Sequence, residues 1–304
     1  MKVLVAGGTG FIGSAIVTAM LERGQTVSVL SRSRGGRHEF DPRAAWIEGD
    51  VTRPETLQRA VTGFDIVVDA VQLPNSPIEN PKKGYTFERI DFGGTRNLVD
   101  AAAATGVQHY IGLSGAGAAE DARYHWQRFK WKEEQHVMAS GMNYTIFRPT
   151  WIFGPGDVSL NRFLNFGRFL PFIPVIGDGK TRVQILYLGD LVAHVSASVG
   201  NDAARNKVFE IGGPDVLTMD EIIRTGLRVS GKKRPLLHQP KPLMKFLAGI
   251  IQHAPGRPLT PDAIDFITME GIVDTGPLTE AFGLRLTPLE EGMKHYVNSP
   301  RSGA

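Results

Sequence analysis

The chain has 304 residues, 42% hydrophobic and 21% charged, with 34 Lys and Arg against 31 Asp and Glu, a formal net charge of +3. That is ordinary globular composition, too weakly basic to imply nucleic-acid binding, and the length leaves room for one core with a smaller lobe attached. Cysteine is absent, which excludes disulfides, thiolate metal sites and a cysteine nucleophile.

The first apolar run, Val3-Leu4-Val5-Ala6, reads as a strand that stops at Gly7-Gly8-Thr9-Gly10-Phe11-Ile12-Gly13 and restarts as a helix from Phe11 to Leu21, closed by Gly24. Strand, glycine turn and helix in this order aim free backbone N–H groups and the positive end of a helix dipole at one point where a pyrophosphate can sit. The glycines follow Gly-x-x-Gly-x-x-Gly rather than Gly-x-Gly-x-x-Gly. Gly7 suits the tight turn, Gly10 the close approach of phosphate, and Gly13 the contact of helix with strand, with Thr9, Phe11 and Ile12 completing the loop.

The second strand, Thr26 to Leu30, selects the cofactor. An NAD site usually carries a carboxylate near its end, whereas this strand ends Ser31-Arg32-Ser33-Arg34, with Arg37 close by and no acid before Glu39. The planar fork of arginine and a serine hydroxyl match a 2′-phosphate, so NADP(H) is expected, held by Ser31, Arg32 and Arg34. The competing reading is a solvated basic loop.

Strands follow at Ala45 to Glu48, Asp65 to Asp69, Val107 to Leu113 and Asn143 to Phe147, alternating with helices at Thr86 to Ala104 and Gln127 to Ala139. In the first of these helices Ile90, Gly94, Leu98 and Ala101 give a face able to lie close to a sheet. The alternation predicts an α/β fold, a Rossmann-like doubly wound parallel sheet with a smaller, mostly helical C-terminal lobe. Past Pro149, prolines and glycines are dense up to Gly179, with a short helix at Leu160 to Phe169. Two strands, Gln184 to Tyr187 and Lys207 to Ile211, bracket a helix from Asp190 to Val199 and are expected to return to the sheet. From Thr218 onward the pattern is mostly helical. The division expected is residues 1–155 as the NADP-binding core, with 180–215 returning to the sheet, and 156–179 with 216–304 as a substrate or partner lobe. Phe163, Phe166, Phe169, Phe172, Ile173 and Val175 wall an apolar pocket, mark a partner surface, or pack a core. The eight histidines show no two-histidine metal spacing, so no metal is expected.

The glycine motif, together with Gly49-Asp50, Asp69-Ala70-Val71, Leu113-Ser114, Lys130, Arg148-Pro149 and Phe153 to Asp157, resembles the short-chain dehydrogenase/reductase superfamily. The likeness is to its atypical branch, which includes NmrA-like proteins and relatives of the nucleotide-binding accessory subunit of respiratory complex I. The resemblance implies that Asp50 and Val51 meet the adenine and that Ala70 and Val71 border the ribose. It places Ser114 beside the nicotinamide, Lys130 on the nicotinamide ribose, and Pro149 and Thr150 along the carboxamide. Each has a plainer alternative: Ser114 satisfies a turn, Asp50 caps a loop, and Lys130 competes with Lys132.

The chain departs from that pattern at one decisive position. Hydride-transferring members carry tyrosine four residues before the lysine, where the ammonium lowers the phenol pKa so that it can protonate the substrate oxygen. Position 126 is tryptophan, whose indole only donates. Tyr124 and His125 are the candidate substitutes. Two functions remain open. One is an NADP(H)-dependent reductase of an apolar carbonyl, enone or quinone-like small molecule, using Lys130, Ser114, and Tyr124, His125 or water. The other is an NADP(H)-binding protein without turnover that senses redox state or assists assembly. An oligomer or protein partner fits either. A strand starting directly after Met1-Lys2, with no apolar stretch long enough to span a bilayer, points to a cytoplasmic protein.

Overall fold

The computed structural model describes all residues except 36–37, 75, 158–159, 162–163, 165–169, 253–258 and 298–304. The chain divides into two compact units, one of Met1–Pro149, Leu188–Ile211 and Asp274–Arg285, the other of Thr150–Tyr187, Gly212–Val273 and Leu286–Ala304.

The first unit is built on seven strands, β1 (Lys2–Ala6), β2 (Thr26–Ser31), β3 (Ala45–Glu48), β4 (Ile66–Asp69), β5 (His109–Leu113), β6 (Asn143–Pro149) and β7 (Lys207–Ile211). They lie in the order β3-β2-β1-β4-β5-β6-β7, all parallel. Val3 to Ala6 are wholly buried, as a central parallel strand covered on both faces requires. The order reverses between β1 and β4, and at such a point the crevice beyond the carboxyl ends of the strands takes a ligand.

Helices α1 (Phe11–Glu22), α2 (Leu57–Val61), α3 (Gly93–Ala104), α4 (His125–Ala139) and α5 (Leu188–Ala197) belong to this unit. Leu98, Val99, Ala101 and Ala102 of α3 join Leu4, Leu30, Val67, Tyr110 and Ile146 in one core. The continuous helix expected from Thr86 begins instead with a π-helical turn, Phe87–Phe92, capped where the Thr86 hydroxyl accepts from the Arg89 N–H. The wider turn lets Phe87, Ile90 and Asp91 all face inward. The short helix Gly276–Phe282 also belongs here, its Phe282 ring packing against Phe147, Phe209 and His194.

Of the two strands expected to return to the sheet, β7 does so beside β6. The other does not: Leu186–Tyr187 pairs with Ile152–Phe153, and Arg182–Val183 with Leu217–Thr218, each a two-residue ladder. Both ladders lie in the second unit. There the Leu186 N–H donates to Trp151 O and the Gln184 N–H to Gly271 O, so local partners claim the groups a sheet strand would need.

The second unit holds α6 (Met219–Val229), α7 (Lys241–Ile251), α8 (Pro261–Ile267) and a helix at Leu289–Lys294. Thr218 and Glu221 form a capping box at the start of α6. The helical reading missed Leu236–Gln239, a strand pairing in parallel with Ile173–Ile176. It is four residues long between two prolines, too short to show a period. Ile173 and Val175 are buried against Met219, Ile223 and Leu227 and are packing residues. Phe163, Phe166 and Phe169 lie outside the described residues.

Candidate cofactor and active site

The glycine turn after β1 has the geometry of a cradle. Gly7 has φ +76° and its N–H donates to Leu30 O at 3.2 Å; a Cβ there would stand 2.6 Å from Ala70 O, so the turn lies directly on the end of β4. A Cβ on Gly13 would collide with the Gly7 carbonyl, which is why α1 can press against the turn. Gly10 differs. A Cβ there would meet only Gly7 O, at 3.2 Å, and Gly10 caps α1 with no side chain over the first turn. The leading N–H groups of α1 therefore face an uncrowded space, which fits a pyrophosphate.

The loop after β2 folds back onto this turn, since the His38 N–H donates to Thr9 O at 3.1 Å and the Phe11 and His38 rings lie 6.0 Å apart. Arg32 and Arg34 are exposed, and among the described residues neither pairs with a carboxylate. The Ser31 hydroxyl shapes the loop, donating to Ser33 O at 2.7 Å and accepting from Trp46 Nε1 at 3.0 Å. Arg37 is outside the described residues. Asp50 caps a turn, its Oδ1 accepting from the Thr52 N–H and hydroxyl at 2.9 and 2.8 Å, while Val51 O accepts from Asn97 Nδ2 at 2.8 Å. The Val71 N–H donates to Asp69 Oδ1 at 3.0 Å, fixing the segment with Ala70.

Helix α4 carries the second half of the site. Lys130 is 5% exposed, and its ammonium lies 2.9 Å from Glu133 Oε2, 3.2 Å from Asp91 Oδ1 and 3.5 Å from Leu113 O. Behind it Asp69 Oδ2 accepts from the hydroxyls of Tyr110 and Thr95 at 2.7 and 2.8 Å, and Asp91 Oδ2 accepts from the Leu73 N–H at 2.9 Å. Three buried carboxyl groups thus surround one ammonium. Burial drives the Glu133 pKa up to about 8; Lys130 opposes the shift and Asp91 adds to it. Burial likewise raises Asp91 against the pull of Lys130. Burial alone would lower the lysine, but Glu133 and Asp91 reverse that and hold it charged. Lys132 sits on the other face with its amine 5.4 Å above the Phe129 ring.

Ser114 donates its hydroxyl to Glu134 Oε1 at 2.5 Å, and Arg148 clasps the same carboxylate through Nε at 2.8 Å and a terminal nitrogen at 2.5 Å. Pro149 O accepts from the Ala116 N–H at 3.0 Å. In the second unit Thr150 is buried, its hydroxyl donating to Gln184 O at 2.5 Å.

Trp126, one turn before Lys130, packs with Phe129 against Leu73, Phe87 and Ile90, and lies so near Gly115 that a Cβ there would come within 3.1 Å of its ring. Tyr124 is outside the helix, in extended backbone at its cap, with the Arg123 guanidinium over its ring. His125 opens α4, its ring edge-on to Phe87 and its Nε2 3.3 Å from Glu79 Oε2. Among the described residues no group of acidic and histidine side chains could hold a metal ion.

The NAD(P)H-binding family model matches residues 7–160, just over half of the chain, and so covers the glycine turn, the end of β2 and the whole of α4. The chain belongs to this NAD(P)H-binding family. It is a Rossmann-fold NAD(P)-binding protein.

Two relatives from Arabidopsis thaliana are each 28% identical to it. The mitochondrial NADH dehydrogenase 1 alpha subcomplex subunit 9 aligns over 72% of this chain and 55% of its own length, and the chloroplastic divinyl chlorophyllide a 8-vinyl-reductase over 83% and 63%. The chain thus spans less than two thirds of either. A UDP-glucuronic acid 4-epimerase from Bacillus cereus, solved in complex with NAD, shares the fold with a TM-score of 0.76 over 98% of both chains at 17% identity.

Sequence reasoning singled out Lys130 and Ser114 but missed what holds them: Asp69, Asp91, Glu133, Glu134 and Arg148. Glu133 and Glu134 stand three and four residues after Lys130, the spacing of one helix face. That pattern was legible. Its burial was not, because the same spacing serves a solvated ion pair equally well.

Proposed function

We propose that this chain is an NADP(H)-dependent reductase of an apolar carbonyl, enone or quinone-like substrate in which His125 takes the place of the tyrosine acid. The observation that carries the reading is the His125–Glu79 pair, which keeps a carboxylate-oriented imidazole, 37% exposed, one residue before the position Trp126 fills. Gly7, Thr9, Gly10, Phe11, Ile12 and Gly13 would hold the pyrophosphate, Arg32 and Arg34 the 2′-phosphate, Asp50 and Val51 the adenine, and Ala70, Val71 and Pro149 the ribose and nicotinamide edges. When bound, the reduced nicotinamide supplies a hydride. Nε2 is turned to Glu79, which would steady the imidazolium, so the proton would leave from Nδ1. Trp126 excludes water over Gly115, and Glu134 fixes the rotamer of Ser114 so that its oxygen faces the site only as an acceptor.

The second reading, cofactor binding without turnover, draws on Lys130. An ammonium gripped by Asp91 and Glu133 has little left to offer a ribose. The names of the two relatives divide the same way, one a reductase and one a subunit of a larger dehydrogenase. Stopped assays of NADPH oxidation with a panel of quinones, enones and ketones decide the matter. A reductase turns over at least one and loses most of its rate on His125→Asn. A binding protein oxidises NADPH no faster than buffer with any, while the cofactor still raises its melting temperature.

A further inference from the structure

Helix α7 presents the reverse of an ordinary surface helix. Its inward side carries Lys241, Lys245 and Ala248: Ala248 is fully buried, and the two ammonium groups grip Asp265 of α8 at 3.0 and 2.7 Å. Its outward side carries Leu243, Phe246, Leu247, Ile250 and Ile251, exposed by 47, 67, 37, 60 and 39%. These positions run i, i+3, i+4, i+7, i+8 and, at about 100° per residue, cover an arc of about 140°. A stripe of that kind is normally the buried one, and five large apolar side chains on one face are more than scattered exposure.

The charge around the helix is as one-sided as its face. From Lys232 to Pro261 the chain has six Lys and Arg and no Asp or Glu, although the whole chain is nearly balanced at 34 against 31. Lys233 and Arg234, exposed ahead of α7, pair with no carboxylate among the described residues. No helix among the described residues is long and apolar enough to cross a membrane. An exposed apolar stripe with a cationic flank, on a helix about 16 Å long, suits lying in a bilayer interface instead.

We propose that α7 is an interfacial helix that seats Leu243, Phe246, Leu247, Ile250 and Ile251 at the headgroup boundary of an anionic lipid surface. A second copy of the chain fits the face less well, because a two-fold contact would set the uncompensated charge of Lys233 and Arg234 against itself. Anionic headgroups compensate it directly.

The test is co-sedimentation of the full chain with vesicles of phosphatidylcholine alone or mixed with phosphatidylglycerol. Binding is expected to the mixed vesicles, weaker to the neutral ones and reduced by salt. Phe246→Glu with Ile250→Glu should abolish it while leaving the melting temperature unchanged, since both side chains are exposed. Lys233→Ala with Arg234→Ala should lower partitioning about 25-fold, about fivefold for each basic residue. The proposal is overturned if neither vesicle is bound or if the apolar pair of substitutions leaves binding intact. A dimer in solution that the same pair converts to monomer would also overturn it, assigning the face to a second copy.

Discussion

The indole of Trp126 and the backbone of Gly115 are in such close contact that a methyl group on Gly115 would approach the ring to 3.1 Å. The aromatic side chain therefore covers the loop after β5, which on the proposed reading is where the acid of a reductase would stand. Because indole has no acid–base state near neutral pH, Trp126→Phe is expected to keep most of any reductase activity. Trp126→Tyr restores a phenol one turn from Lys130 and should raise the rate or shift its pH optimum. Loss of turnover in Trp126→Phe with an unchanged melting curve would place Trp126 in the chemistry and refute this account.

The proposed preference for NADP(H) rests on Arg32 and Arg34, which are exposed and pair with no carboxylate among the described residues. Calorimetric titration should find NADP(H) bound more tightly than NAD(H). Arg32→Ala should cost about 1.5–3 kcal/mol with NADP(H) and little with NAD(H), the range for a charge-assisted hydrogen bond. Equal affinities in the natural protein would return this segment to a solvated loop.

The parallel sheet was legible because its strands are short, almost unbroken apolar runs and its turns are glycine, and both signals are local. Asp91 was not legible as a site residue, because the π-helical turn that rotates it inward has no sequence mark distinct from an α-helix. The short ladders of the second unit escaped for another reason. Two-residue pairings such as Leu186–Tyr187 with Ile152–Phe153 are decided by which backbone groups lie within reach, and alternation of side chains cannot report that.

Glu133 makes stability depend on pH. Its folded pKa of about 8 lies above the ordinary 4.5, so the folded state holds a proton that the unfolded chain has released, and raising the pH through this window removes stability. His109, lowered to about 4 by burial with Arg205 adding to the shift, acts in the opposite sense below its ordinary 6.5. The clean interval is therefore pH 6.5 to 8, where the melting temperature should fall by an amount reflecting at most about 1.4 kcal/mol per pH unit. Glu133→Gln, which mimics the protonated acid, should flatten that slope. A slope that persists in Glu133→Gln assigns it to another group.

Lys130 is where a cofactor role and a structural role make different demands. If its work is structural, Lys130→Met leaves Asp69, Asp91 and Glu133 buried without their cation, and removing one partner of a buried pair costs about 3–5 kcal/mol. Lys132→Ala, on the exposed face, should stay within about 0.5 kcal/mol. Adding Asp91→Asn to Lys130→Met removes a charge as well as its partner, so it should recover part of the loss if the cluster is coupled. NADPH affinity separates the roles once it is measured well below the melting temperature of each variant. A lysine that only neutralises the acids leaves the affinity of the double variant near that of the natural protein. A lysine that also binds the ribose leaves it weakened even where stability has been restored, and that result would make Lys130 a cofactor ligand in spite of its two carboxylate partners.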